Sequence, residues 1–215
     1  MQYYIHSQAI VMQLRPHQQR ALNAMQSTNY GQVYVPTGGG KTYIMIAHCR
    51  ALFAAAIKPQ TIVVVAPRIL LAQQLQSEFS EFITDAMIGH IHSGETDRFS
   101  TTKPDNIASA VTLWKANHRH QILFTTYHSL GRIVDSGIDI DCIYFDEAHN
   151  ACGRSHFQAV FATAQYAERR YYFTATPKIG RGQSAQRGMN NTDVYGGVLC
   201  NVPAQNSSKQ CNRSS

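Results

Sequence analysis

Apolar runs separated by polar turns recur along this chain. Residues 61–66, TIVVVA, are apolar almost without interruption. A strand wetted on one face alternates apolar and polar residues, whereas a continuous run suits a strand buried on both faces of a parallel sheet. QILFT (121–125), IDCIYF (140–145) and RYYFT (170–174) read the same way, as does QVYV (32–35) running into glycines. MIGHIH (87–92) is a weaker strand. Helical spacing fills the intervals. Residues 14–26 carry Pro16 in the first turn and Leu22 and Met25 on one side. Residues 41–56 are alanine-rich and end before Pro59. Residues 68–83 place Leu71, Leu75, Phe79 and Phe82 on an inner face, and 155–167 form another helix. Residues 93–118 are polar and read as a loop with a short helix near 107–117. Strand and helix alternate throughout, which predicts a three-layer α/β domain with a mostly parallel central sheet.

This pattern fades after residue 180, where Gly, Gln, Asn and Ser dominate. YGGVLCNV (195–202) adds an edge strand, and QNSSKQCNRSS (205–215) reads as disordered. The expected organisation is therefore one domain over 1–180 and a polar tail over 181–215.

Composition refines the picture modestly. The 215 residues are 44% hydrophobic, enough for a core without covalent staples. Nineteen Lys and Arg against 13 Asp and Glu give a net charge of +6, which suits a polyanionic partner such as nucleic acid. The five cysteines include no CxxC pair, so a reducing compartment is expected, and Cys49 and Cys142 read as buried apolar residues. The N-terminal MQYYIHSQAIVMQL lacks the charged start and apolar stretch of a secretion signal. No apolar run approaches the ~18 residues of a membrane span. A cytoplasmic protein, or a nuclear one in a eukaryote, is the expectation.

Two motifs carry chemistry. PTGGGKT (36–42) sits between a strand and a helix, where a phosphate-binding loop must lie. Thr37, Gly38, Gly39 and Gly40 allow the backbone to wrap phosphate oxygens at a helix N-terminus. Lys41 is placed to reach the β- and γ-phosphates of a nucleotide, and Thr42 to put its hydroxyl on Mg²⁺. DEAH (146–149) follows directly on the apolar strand 140–145. A carboxylate there points into the crevice at the end of a parallel sheet. Asp146 suits the Mg²⁺ shell and Glu147 the attacking water. Either motif alone has a bland alternative, a glycine-rich turn or an acidic helix cap. Both in this order, each after a strand, are far more specific.

On these residues the chain resembles the first RecA-like domain of superfamily two helicases and translocases, a P-loop NTPase fold, from about Leu14 to Pro177. LRPHQ (14–18) is similar to the adenine-recognition element, which implies that Gln18 bonds the adenine edge. Val35 stands where other phosphate loops carry their first glycine, a departure common in this superfamily. APRILLAQQ (66–74) resembles a segment that contacts a nucleic-acid backbone, and IHSG (91–94) and TTYHSL (125–130) fall where other such segments fall. That resemblance implies strand contacts through Arg68, Thr125 and Thr126. TATP (174–177) resembles the motif linking nucleotide state to nucleic-acid binding, and His149 is expected to face a neighbouring domain. The nearest subgroup resembles restriction-type translocases, excision-repair helicases and phage helicases; the letters DEAH alone do not make a DEAH-box RNA helicase.

The resemblance implies ATP and Mg²⁺ as cofactors, nucleic acid as partner with DNA ahead of RNA, and no membrane. It also implies catalytic roles for Lys41, Asp146 and Glu147, nucleotide contacts from Gln18 and residues 37–42, and metal contacts from Thr42 and Asp146. The second RecA-like domain, with its arginine finger, has no counterpart here. It is expected in cis or trans, and the chain is read as a fragment, a truncated product or half of a split enzyme. Two other readings stay open: a piece of a restriction-modification motor, and a remnant that binds without turnover. His90 and His92 share one strand face, but no carboxylate or cysteine cluster accompanies them, so a zinc site is not favoured. Trp114, Lys115, His118 and Arg119 read as an amphipathic surface.

Overall fold

The computed structural model describes residues 12–203. The expectations for the N-terminal leader and for 205–215 lie largely or wholly outside these residues. Strands β1 (Tyr30–Tyr34), β2 (Thr61–Ala66), β3 (Met87–Ile91), β4 (Phe99–Ser100), β5 (Gln121–Thr126), β6 (Ile140–Phe145), β7 (Ala167–Thr174) and β8 (Val198–Asn201) form one sheet in the order β4-β3-β5-β2-β6-β7-β1-β8. Every pairing is parallel.

The centre of the sheet explains the continuous apolar runs. All six positions of β2, β5 and β6 are buried. Val63 lies between Leu123 and Ile143 on its neighbours, and Val64 between Phe124 and Tyr144. Alternate residues feed two cores. Ile62 and Val64 pack with α1 (Pro16–Gln26), α2 (Lys41–Ala55) and α3 (Ile69–Phe82). Val63 and Val65 pack with α4 (Pro104–Ala116), α5 (Leu130–Ser136), α6 (Arg154–Tyr166) and the short α7 (Thr192–Tyr195). Each buried aliphatic side chain contributes roughly 1.5–3 kcal/mol relative to exposure. The three-layer α/β fold follows from this alternation.

The structure departs from the sequence expectation in four places. Helix α4 starts three residues before the expected 107–117 and ends one residue short of it, because Pro104 starts it and Asp105 favours its first turn. Trp114 is not surface: it is buried and meets Phe99 edge-on, with ring centroids 5.3 Å apart. Helix α5 and the two-residue β4 are additional elements. Finally, the stretch from 181 packs into the domain. Met189, Val194 and Tyr195 are buried; β8, which pairs with β1, is the edge strand expected within 195–202. Gln32 fixes this closure by donating to the Gly196 carbonyl at 2.7 Å and the Met189 carbonyl at 3.0 Å. No helix among the described residues is long and apolar enough to cross a membrane.

Candidate nucleotide site

Because every strand runs the same way, the segments leaving β3, β5, β2, β6, β7 and β1 emerge along one edge of the sheet, in that order. IHSG, TTYHSL and APR occupy one half of the edge. DEAH, TATP and PTGGGKT occupy the other.

The phosphate-loop segment turns tightly after β1: the Gly39 N–H donates to the Pro36 carbonyl at 2.9 Å. Gly38 and Gly40 have φ of 76° and 80°, a left-handed backbone that L side chains rarely adopt, and a Cβ on Gly40 would strike Gln18. Helix α2 begins at once with Lys41, with no side-chain cap. The N–H groups of its first turn have no partner inside the helix and favour an anion. Helix α1 clamps this loop from behind. Gln18 is buried and donates to the Gly39 and Gly40 carbonyls at 3.3 Å, while its Oε1 accepts from the Arg15 N–H at 2.7 Å. His17 Nε2 donates to the Gly39 carbonyl at 2.8 Å. The carboxamide expected at an adenine edge is thus committed to the loop itself in this structure.

From the other side β6 delivers DEAH. Glu147 has φ 46°, a strained value for a side-chain-bearing residue, and a 3-10 helix (Ala148–Cys152) follows it. Its carboxylate caps no helix; it accepts from Lys41 Nζ at 2.7 Å. Asp146 lies beside it, with its N–H donating to the Val65 carbonyl at 2.8 Å and its carbonyl accepting from the Tyr127 hydroxyl at 2.9 Å. Burial pushes the Asp146 carboxyl up to about 6, and the Glu147 carboxylate adds to the rise while Lys41 opposes it. His149 Nδ1 lies 3.1 Å from Thr174 Oγ1, which also accepts from the Thr176 N–H. His149 therefore joins DEAH to TATP within this domain, in addition to any neighbour expected for it.

Thr37, Gly38, Lys41, Thr42, Asp146 and Glu147 line one cleft of about 380 Å³. Tyr43 and Glu78 line it too and carried no sequence signal of their own beyond Tyr43's place after the loop. The donor set fits Mg²⁺, which takes hard oxygen ligands and keeps waters and phosphates in its remaining positions. A hydroxyl and a carboxylate are there, and a buried carboxylate held near 6 is one a cation would relieve. A larger hollow of about 660 Å³ beside β4 and α4 holds none of the motif residues.

The other half of the edge corrects one expectation. Thr125 is fully buried and its hydroxyl donates to the Ile91 carbonyl at 2.8 Å; Thr126 is buried, and its Oγ1 accepts from the Ser129 N–H. Neither hydroxyl faces outward, because both sit on strand positions inside the sheet. Arg68 at the start of α3, Ser93 and His128 are the exposed residues there. His90 and His92 are buried against each other at 3.0 Å, and no group of three or more His, Cys, Asp or Glu side chains suited to a metal occurs among the described residues.

Comparison with known proteins places the fold. Two type ISP restriction-modification enzymes share the fold: LlaGI, a nuclease-deletion mutant with a DNA substrate mimic, and LlaBIII, bound to DNA. The first is 24% identical with a TM-score of 0.75 over 89% of this chain and 20% of its own. The second is 23% identical with a TM-score of 0.72 over 88% and 15%. The UvsW helicase of bacteriophage T4 is 14% identical with a TM-score of 0.62, over 86% and 58%. The chain thus spans a fifth or less of the two restriction enzymes. No curated protein sequence matches it. The model of the family described as type III restriction enzyme, res subunit, matches residues 11–179, and the chain belongs to that family, with the N-terminal RecA-like domain of superfamily two helicases as its fold.

Proposed function

We propose that this chain is the ATP- and Mg²⁺-binding half of a nucleic-acid-dependent helicase or translocase, with little hydrolysis of its own. The observation that carries this is the meeting of Lys41 with Glu147 in the cleft where the phosphate loop and DEAH converge. Lys41 exchanges its contact with Glu147 for the β- and γ-phosphate oxygens. The exchange frees Glu147 to orient and deprotonate the attacking water. Thr42 and Asp146 hold Mg²⁺, which when bound neutralises phosphate charge. Gln18 turns from the loop carbonyls to the adenine edge, since a carboxamide both donates and accepts. Residues 37–40 wrap the phosphates.

Arg68 and the outer half of the edge take the nucleic-acid backbone, and a second RecA-like domain, in cis or trans, completes the motor. The DNA in the LlaBIII and LlaGI structures favours DNA over RNA. The family match and these two neighbours also favour a role in a restriction-modification complex over repair or a remnant without turnover. Calorimetric titration with Mg²⁺ and ATP tests the nucleotide assignment. Wild type binds, and Lys41→Ala weakens binding tenfold or more; equal affinity in the two would sink it.

A further inference from the structure

A second pocket, which shares no lining residue with the cleft, lies where the segments that follow DEAH and TATP meet. A pocket of about 250 Å³ opens between the end of the 3-10 helix, the start of α6 and the loop after TATP. Cys152, Arg154, Lys178, Gly180, Arg187 and Gly188 line it. Three of these six are cations from two separate stretches of chain. No carboxylate lies within 4 Å of any of the three among the described residues. The sequence explains why: no Asp or Glu occurs from Ala148 to Ala167, nor from Thr174 to Thr192, and the latter stretch also carries Arg181. On a chain with 13 acidic residues, these two stretches together carry basic residues and no carboxylate side chain.

The loop that presents these cations is built. Met189 N–H donates to the Lys178 carbonyl at 2.8 Å, and Asn190 Oδ1 accepts from the Gly180 N–H at 2.7 Å. Gly180 and Gly188 approach so closely that a Cβ on either would run into the other's backbone. The buried Tyr195 closes the loop by donating to the Arg187 carbonyl at 2.9 Å. Lys178 and Arg187 are thereby held at the two ends of one fixed turn. Arg154 comes from α6, whose N-cap Gly153 offers no side-chain oxygen to its first turn. Three like charges converging without a counterion repel one another, and a bound anion removes that cost.

We propose that Arg154, Lys178 and Arg187 form a phosphate-binding subsite for a nucleic-acid backbone, separate from the Arg68 half of the edge. This rests on the reading of the chain as a nucleic-acid-dependent motor domain. The subsite adjoins the 3-10 helix that carries His149, and His149 contacts Thr174 of TATP. A strand held here lies one short helix from the nucleotide carboxylates.

Fluorescence anisotropy of labelled duplex DNA, across a series of salt concentrations, tests the subsite. Arg154 and Lys178 are exposed, so Arg154→Gln/Lys178→Gln keeps the fold, checked by thermal melting. Each phosphate contact contributes about 0.9 to the slope of log affinity against log salt. The double variant is expected to lower that slope by about 1.8. Arg187→Lys, which retains the charge, is expected to leave the slope unchanged. An unchanged slope in the double variant overturns the proposal, as does wild type that fails to bind duplex or single strands at low salt. Docking of an acidic protein face on the same cations would leave the DNA slope unchanged and counts against it. Inorganic phosphate titrated alone separates the sources: millimolar phosphate binding lost in the double variant, with no change in DNA affinity, makes this a free-phosphate site and overturns the backbone assignment. Mg²⁺ and ATP titrated in parallel distinguish the two failures. Nucleotide binding with an unchanged DNA slope removes the subsite alone, whereas no nucleotide binding removes the reading beneath it.

Discussion

At the scale of single residues, the ion pair between Lys41 and Glu147 sets a competition. Both groups are wanted by a nucleotide, and both are partly shielded from water, with 11% and 27% of their side chains exposed. A charge-assisted hydrogen bond of this kind is worth about 1 kcal/mol. Glu147→Gln weakens the pair, so the affinity for Mg²⁺ and ATP should rise about fivefold while any hydrolysis falls. Calorimetry on the variant checks this, and unchanged or weaker binding would show that Lys41 is not restrained. Two histidines make a separate forecast. Burial holds His48 down to about 4, with the Arg169 charge adding to the effect; its Nδ1 lies 2.8 Å from the Tyr144 hydroxyl. Burial likewise holds His90 to about 4, helped by His92 and Arg98 and opposed by Asp97. The geometry gives the reason. The Gly94 N–H donates to His92 Nδ1, so His92 carries its proton on Nε2 and donates to His90 Nδ1. A second proton on His90 would set N–H against N–H. The folded state keeps both rings neutral, while the unfolded chain takes up protons below about 6.5. Stability should therefore be full above about pH 6.5 and fall between 6.5 and 4, by about 1.4 kcal/mol per pH unit for each histidine at most. Urea midpoints at pH 7 and pH 5 measure it, and His90→Phe should flatten the decline; a midpoint that does not move refutes it. Residue position was legible where spacing places a group, as for Lys41 and Asp146, which line one cleft. It was not legible for Thr125, whose hydroxyl in sequence looks free and in the fold serves Ile91.

Elements were legible in proportion to how fully they are buried. Strands β2 and β6 are apolar at every position but one, and β5 is apolar over Ile122–Phe124, because helices cover both faces, and these runs stand out in the sequence. Helix α5, seven residues with a glycine second, is too short to show a period. The first half of α4 is polar because it faces outward, leaving only Ile107, Val111 and Trp114 to mark the inner side. The stretch after 180 hides its contribution best, since three buried residues, Met189, Val194 and Tyr195, lie among polar ones. Tyr195 stacks edge-on with Tyr172 at 4.9 Å, and β8 covers the outer edge of β1, the strand that carries the phosphate loop. A chain ending at residue 180 should lose these contacts and expose Gln32 and Tyr172. Its expected cost is several kcal/mol, since removing one large buried aromatic side chain alone costs about 3–5. If the shorter chain unfolds with an unchanged midpoint, the segment after 180 is an appendage after all.

At the scale of the molecule, the parallel sheet gathers the segments after its strands on one edge and divides that edge in two, with PTGGGKT, DEAH and TATP on one half and the segments that expose Arg68, Ser93 and His128 on the other. That division was legible from motif order only in part, because strand order in space is not strand order in sequence: β6 and β7 insert between β2 and β1. The last forecast concerns turnover. Among the described residues lining the cleft, Lys41 is the one cation, against Glu78, Asp146 and Glu147. These groups can bind Mg²⁺ and phosphates and can hold a water. Negative charge that develops on the transferring phosphoryl needs a further positive group from the facing side, and such a group is worth about 10³–10⁵ in rate. In the proposed motor that side belongs to a second domain closing on this one. The chain by itself should therefore bind nucleotide yet release phosphate at a rate three or more orders of magnitude below that of a complete motor. Single-stranded DNA or RNA should stimulate it little. Steady-state phosphate release with and without each nucleic acid measures this. Strongly stimulated turnover that vanishes in Glu147→Gln would mean that the chain completes its own site, by pairing with a second copy, and the half-motor reading would fall.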